Sequence, residues 1–225
     1  MVLTEKERVL EVWQNADAVC FDVDSTVIRE EGLDHLAAYL GKGEAVAALT
    51  RAAMGGGMTF RTSLQKRMDL CKPSLAQVES FVDKSGFTLT DGIQEIVEAL
   101  HERGTHVYMV SGGFSHLIEP IADQLHIPHE NIFCNVMQFD ERGNYIGFDL
   151  NQPTSRAGGK PTVVQQLIDR HGYKNVVMVG DGATDLEASP PAHAFIGFGG
   201  NCVRSRVEAE APLFVMDFGE LLEAL

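Results

Sequence analysis

The chain has 225 residues, 44% of them hydrophobic, and a formal net charge of −14. Domains run to about 100–200 residues, so one domain with an insertion is expected, with a core large enough to fold without disulfides. The acidic balance excludes nonspecific nucleic-acid binding and a polybasic membrane anchor, and no apolar run approaches the ~18 residues of a membrane-spanning helix.

Residues 1–15 carry a charged helical pattern, with Val9, Leu10 and Trp13 apolar, and lack the apolar core of a signal peptide. Residues 18–23 (AVCFDV) are a short apolar run ending in a polar residue, the pattern of a buried parallel strand. Residues 28–88 differ: helical patterns at 33–40, 45–53, 59–70 and 75–84, a break at Gly55-Gly56-Gly57, and no convincing strand. This predicts a helical cap domain, residues 28–88, inserted into a core formed by residues 1–27 and 89–225.

Further strands are predicted at 106–110, 175–179 and 194–197, alternating with helices at 91–103, 115–125 and 161–171. Two apolar runs within 133–148 flank Asp140-Glu141-Arg142-Gly143-Asn144 and predict a β-hairpin. The fold class expected is α/β: a doubly wound, mostly parallel sheet with an inserted helical cap and a small hairpin. Cys20, Cys71, Cys134 and Cys202 are widely spaced and form no CxxC pair, which fits reduced thiols and a cytoplasmic location.

Ligands of doubly wound sheets bind beyond the carboxyl ends of the strands. Asp22-Val23-Asp24-Ser25-Thr26 ends the first strand. Two carboxylates there can turn toward a cation or a substrate, although a solvated loop or a helix N-cap would also use such residues. An EF-hand is excluded, because Val27 and Leu33 stand where that loop needs Gly and Glu. Ser111-Gly112-Gly113 ends the second strand and is either a plain turn or an anion nest at a helix start.

Gly158-Gly159-Lys160 precedes Pro161 at a helix start; the lysine is either a surface residue or a phosphate ligand. A P-loop is excluded, since Thr154 and Pro161 occupy positions that motif reserves for Gly and Ser or Thr. Gly180-Asp181-Gly182-Ala183-Thr184-Asp185 follows the third strand and can bind Mg²⁺ or cap a turn. Each signal is weak alone. In this order, and all at strand ends, they describe one acidic pocket with one lysine and one nest.

The four motifs DVDST, SGG, the Lys of GGK and GDGATD resemble those of haloacid-dehalogenase-type phosphatases. Residues 16–28, 51–56, 179–185 and 196–201 are similar to the eukaryotic phosphoserine phosphatase family nearly word for word. Pro161, Gly86-Phe87 and Asp91 depart from that family's pattern, near helix starts and a cap boundary.

The resemblance implies Mg²⁺-dependent hydrolysis of O-phospho-L-serine to L-serine, the last step of serine biosynthesis, in a homodimer. It implies that Asp22 is the nucleophile, Asp24 the general acid and base, and Lys160 a phosphate ligand. Mg²⁺ would be held by Asp22, the Asp24 carbonyl and Asp181, with Asp185 buttressing them. Ser111, Gly112 and Gly113 would take phosphoryl oxygens, Glu31 the substrate ammonium and Arg67 its carboxylate; Met54, Gly55, Phe60 and Thr184 would complete the pocket. Two alternatives stay open: a phosphatase or phosphotransferase for another small ester, and a receiver-like signalling module.

Overall fold

The structure is a computed structural model and describes residues 3–52 and 58–225. The chain opens with α1 (Glu5–Gln14), started by a Thr4/Glu7 capping box, and enters β1 (Ala18–Phe21). It then turns through residues 23–27, with Ser25 at φ 55°. Four helices follow: α2 (Gly32–Tyr39), α3 (Gly43–Ala52), α4 (Phe60–Cys71) and α5 (Leu75–Lys84). Next come α6 (Ile93–Glu102), β2 (His106–Phe114), α7 (Ser115–Gln124) and β3 (Ile132–Asn135). A hairpin of β4 (Met137–Phe139) and β5 (Tyr145–Phe148) leads to α8 (Gly159–His171) and β6 (Val176–Gly180). The chain ends with α9 (Ala183–Leu186), β7 (Ala194–Phe198), α10 (Ser205–Glu210), β8 (Leu213–Val215) and α11 (Phe218–Glu223).

Six strands form one parallel sheet in the order β3-β2-β1-β6-β7-β8. The order runs outward in both directions from the centre, so the chain reverses at the β1/β6 boundary, where such sheets open a crevice. This is the doubly wound fold expected from the sequence. Two details differ. Residues 132–135 join the main sheet as β3 and only 137–148 form the hairpin, and the three-residue β8 carries too short an apolar run to predict.

Alternation along β1 explains the two layers: Val19 and Phe21 face one side, Ala18 and Cys20 the other. The first side packs against α1, α6, α7 and α11 through Trp13, Ile96, Ile121 and Phe218. Trp13 is fully buried, and its indole N–H donates to the Leu221 carbonyl at 3.0 Å. The second side packs against α8 and α10 through Val163, Leu167 and Val207. Helices α2–α5 share a third cluster with the hairpin and the start of α7, including Leu36, Leu64, Phe81, Leu117 and Phe148.

The four-helix segment joins the rest of the chain through a narrow ribbon. Ile28 and Leu89 form an antiparallel bridge, flanked by bonds from Arg29 N to Thr88 O (3.0 Å) and Thr90 N to Val27 O (2.9 Å). Asn201, beyond β7, pins both strands by donating to Ser25 O (3.2 Å) and Thr90 Oγ1 (2.6 Å). No helix among the described residues is long and apolar enough to cross a membrane.

Candidate active site

A cleft of about 1180 Å³ lies between the carboxyl ends of β1, β2 and β6 and the helices α2–α4. Asp22, Asp24, Glu31, Phe60, Arg67, Gly112, Gly113, Lys160, Asp181 and Thr184 line it. Ser111 is fully buried just behind the lining, and Asp185 is also fully buried. Met54 and Gly55 lie outside the described residues.

Local sequence explains the placement. Gly158 has φ 72°, and a Cβ on Gly159 would lie 2.3 Å from the Pro153 carbonyl, so the glycine pair lets α8 start against that turn. Lys160 thereby emerges in the first turn of α8, 2.7 Å from Asp22 Oδ1 and 2.5 Å from Asp185 Oδ1. A Cβ on Gly180 would lie 2.3 Å from Asp185 Cγ, so this glycine admits Asp185 against the end of β6. The far oxygen of Asp185 accepts from Gly182 N at 2.9 Å. Both Asp185 oxygens are thus committed, and its part is to hold Lys160.

Asp22 Oδ1 accepts from Lys160 and from Val23 N (2.7 Å), leaving Oδ2 without a hydrogen bond among the described residues. Asp24 Oδ1 accepts from Gly32 N at 2.7 Å, at the start of α2. A side chain at residue 32 would meet Asp24 Oδ1 at 2.8 Å, so glycine permits that approach. Burial, then the charges of Glu31 and Asp22, push the Asp24 carboxyl up to about 8. A protonated Asp therefore stands beside a carboxylate held by a cation. Burial opposes the charge on Lys160, but Asp185 and Asp22 outweigh it and hold the ammonium pKa above its usual value.

Asp22, Asp181 and Asp185 each have an oxygen within 4.8 Å of the other two, and with Asp185 taken up by Lys160 and Gly182 N–H, Asp22 and Asp181 are the two carboxylates left to face a cation. An all-carboxylate set of this kind suits a hard divalent cation such as Mg²⁺. Burial, then Asp22, push Asp181 up to about 6 in the absence of a cation.

On the opposite wall, a Cβ on Gly112 would lie 2.8 Å from Phe60 Cζ; the phenyl ring of α4 thus sits over the glycine nest. Arg67, also on α4, carries a buried Nε–H with no hydrogen-bond partner among the described residues.

The family model for haloacid dehalogenase-like hydrolases matches residues 16–193. The chain belongs to the haloacid dehalogenase-like hydrolases. It is 50% identical over 211 residues to a phosphoserine phosphatase of Bos taurus, covering 94% of each chain. A phospho-aspartyl intermediate analogue of phosphoserine phosphatase superposes with a TM-score of 0.79 at 28% identity, over 93% of this chain and 99% of the other. The structure of DsGPDH of Dunaliella salina superposes with a TM-score of 0.86 at 34% identity, over 97% of this chain but only 37% of that longer one.

Arg204 also lines this hydrolase's cleft, and no sequence pattern singles it out. Arg204 bridges Asp181 Oδ2 (2.6 Å) and Glu31 Oε1 (2.7 Å). Burial opposes the Arg204 charge, yet Asp181 and Glu31 keep the guanidinium pKa above its usual value. Glu31 Oε1 also accepts from Ser25 Oγ at 3.0 Å, so Oε2 is the oxygen left for a ligand. No motif surrounds Arg204, but it follows the carboxyl end of β7, where any polar residue deserves inspection in this fold.

Proposed function

We propose that this hydrolase cleaves O-phospho-L-serine to L-serine and inorganic phosphate, with residues 28–88 acting as a cap over a core of residues 1–27 and 89–225. Asp22 Oδ2 attacks phosphorus, forming the P–O bond of an aspartyl phosphate as the bond to the seryl oxygen breaks. Asp24, kept protonated by burial and its anionic neighbours, gives its proton to the departing oxygen. The same carboxylate then takes a proton from the water that cleaves the aspartyl phosphate, and Asp22 is regenerated.

Lys160, the Ser111 hydroxyl and the Gly112 N–H take the phosphoryl oxygens, with Gly113 N–H orienting Ser111, and charge stabilisation there supplies most of the catalysis. Asp22, Asp181 and the Asp24 main-chain carbonyl would hold Mg²⁺. When bound, Mg²⁺ draws negative charge off the phosphoryl group.

The observation that carries the substrate is Arg67. A buried guanidinium N–H, unpartnered among the described residues, in a cleft that also holds an anion site calls for a second anionic group on the same ligand. The carboxylate of phosphoserine supplies that group; its ammonium goes to Glu31 Oε2, while Phe60 and Thr184 enclose the rest.

Steady-state phosphate release from O-phospho-L-serine, with and without Mg²⁺, tests the proposal. Turnover that needs the metal and vanishes in Asp22→Asn is expected; a stable phosphorylated protein without turnover would instead favour a receiver-like role. A homodimer and a cytoplasmic location accompany this reading, and sedentation of the protein by analytical ultracentrifugation checks the first.

A further inference from the structure

The nest at the end of β2 is a bulge. Met109 and Val110 pair in register with Ile132 and Phe133 of β3, and the register shifts before Phe114 meets Asn135. Ser111, Gly112 and Gly113 lie in the displaced stretch, so the Gly112 carbonyl needs a partner outside the regular ladder. Asn135, fully buried, supplies it: Nδ2 donates to Gly112 O at 2.8 Å.

Donor chemistry fixes the direction of everything attached. A carbonyl only accepts, so the Asn135 NH₂ must face Gly112 and its Oδ1 must face Thr154. The buried Thr154 hydroxyl then donates to Oδ1 at 3.1 Å. At the other end of the same peptide, Gly113 N–H donates to Ser111 Oγ at 2.9 Å. One lone pair of Ser111 is occupied in this way, and the hydroxyl proton is left to donate. The hydrogen bonds therefore run head to tail, from Thr154 through Asn135 and the Gly112–Gly113 peptide to Ser111, and such chains polarise each link.

We propose that Asn135 and Thr154 are positioning residues that lock the Gly112–Gly113 peptide and aim the Ser111 proton at a phosphoryl oxygen. The inference rests on the proposed phosphatase reading, in which Ser111 receives phosphate. Thr154 is itself carried on the 150–155 turn. Arg61 of α4 holds that turn through Leu150 O (3.0 Å), Ser155 O (3.3 Å) and Ser155 Oγ (2.7 Å). The cap thus grips the segment that orients the nest.

Product inhibition separates positioning from general loosening, because inorganic phosphate reads the nest and L-serine reads the cap. In Asn135→Ala, kcat falls and Ki for inorganic phosphate rises, each by about 10–100-fold, the range found for supporting shells of other sites. Ki for L-serine stays near the parent value. Thr154→Val, close in shape, shows the same split to a smaller degree, and Thr154→Ser restores most of the loss; this pair is decisive if Asn135→Ala does not fold. Equal rises in both inhibition constants, or no change in either, overturn the proposal. Parent protein that hydrolyses phosphoserine while these variants match it sinks the inference alone; parent protein without turnover sinks the underlying reading.

Discussion

Arg67→Ala should divide two substrates that differ by one group. In the free protein its Nε–H is buried without a partner among the described residues, a state that costs about 1–3 kcal/mol. Binding a carboxylate relieves that cost and adds two charge-assisted bonds of about 1.5–3 kcal/mol each. Loss of both bonds removes ~3–6 kcal/mol, which at ~1.4 kcal/mol per decade is a fall of about 10²–10⁴ in kcat/KM for O-phospho-L-serine. Phosphoethanolamine, which has the phosphate and ammonium but no carboxylate, should lose almost nothing. Because the substitution also deletes an orphaned donor, the thermal midpoint should hold or rise. Phosphate-release kinetics on the two esters, with a melting curve on the same preparation, measure all three quantities. An equal loss on both substrates would refute the reasoning, since the arginine would then be supporting the cap rather than reading the carboxylate.

Asp22→Asn should reduce turnover to background while leaving a folded protein, checked by phosphate release and circular dichroism. Metal-free protein should lose stability as pH rises from about 4 to 8: Asp24, displaced from 3.8 to about 8, and Asp181, displaced from 3.8 to about 6, bind more protons folded than unfolded in that window. Mg²⁺ binds the deprotonated carboxylates, so the gain in Tm on adding it over EDTA should be larger at pH 8 than at pH 5.5; scanning calorimetry at the two values checks this, and a gain independent of pH contradicts it. In Gly112→Ala the new Cβ would lie 2.8 Å from Phe60 Cζ and should displace the ring, raising KM for phosphoserine with little change in Tm, read from steady-state kinetics and a melting curve.

Much of the site was legible because it sits where chain patterning changes. Asp22, Ser111 and Asp181 each end or follow a short apolar run, and in a doubly wound sheet such ends converge whatever lies between them. Lys160 was legible through the glycines that place it. Arg204 and Asn135 were not, because their roles arise from contacts with residues distant in the chain and leave no local periodicity. The division between β3 and the hairpin was hidden for a related reason: residues 132–139 read as one apolar run interrupted only by Asn135 and Gln138, and only pairing with β2 assigns the first four to the main sheet. Arg67 entered through the family resemblance alone, since nothing in the pattern of its helix marks an Nε–H that the fold buries.

The ribbon formed by residues 28 and 89 brings the two ends of the cap segment side by side. An insertion with adjoining ends interrupts its host hardly more than a tight turn does, since the core feels only a short loop closed at that point. A different helical insert spliced at the same two positions would keep Asp22, Lys160 and Asp181 on the host, but it would have to supply counterparts to Arg67, to the Glu31 carboxylate and Gly32 N–H that reach Arg204 and Asp24, and to Arg61, which holds the 150–155 turn.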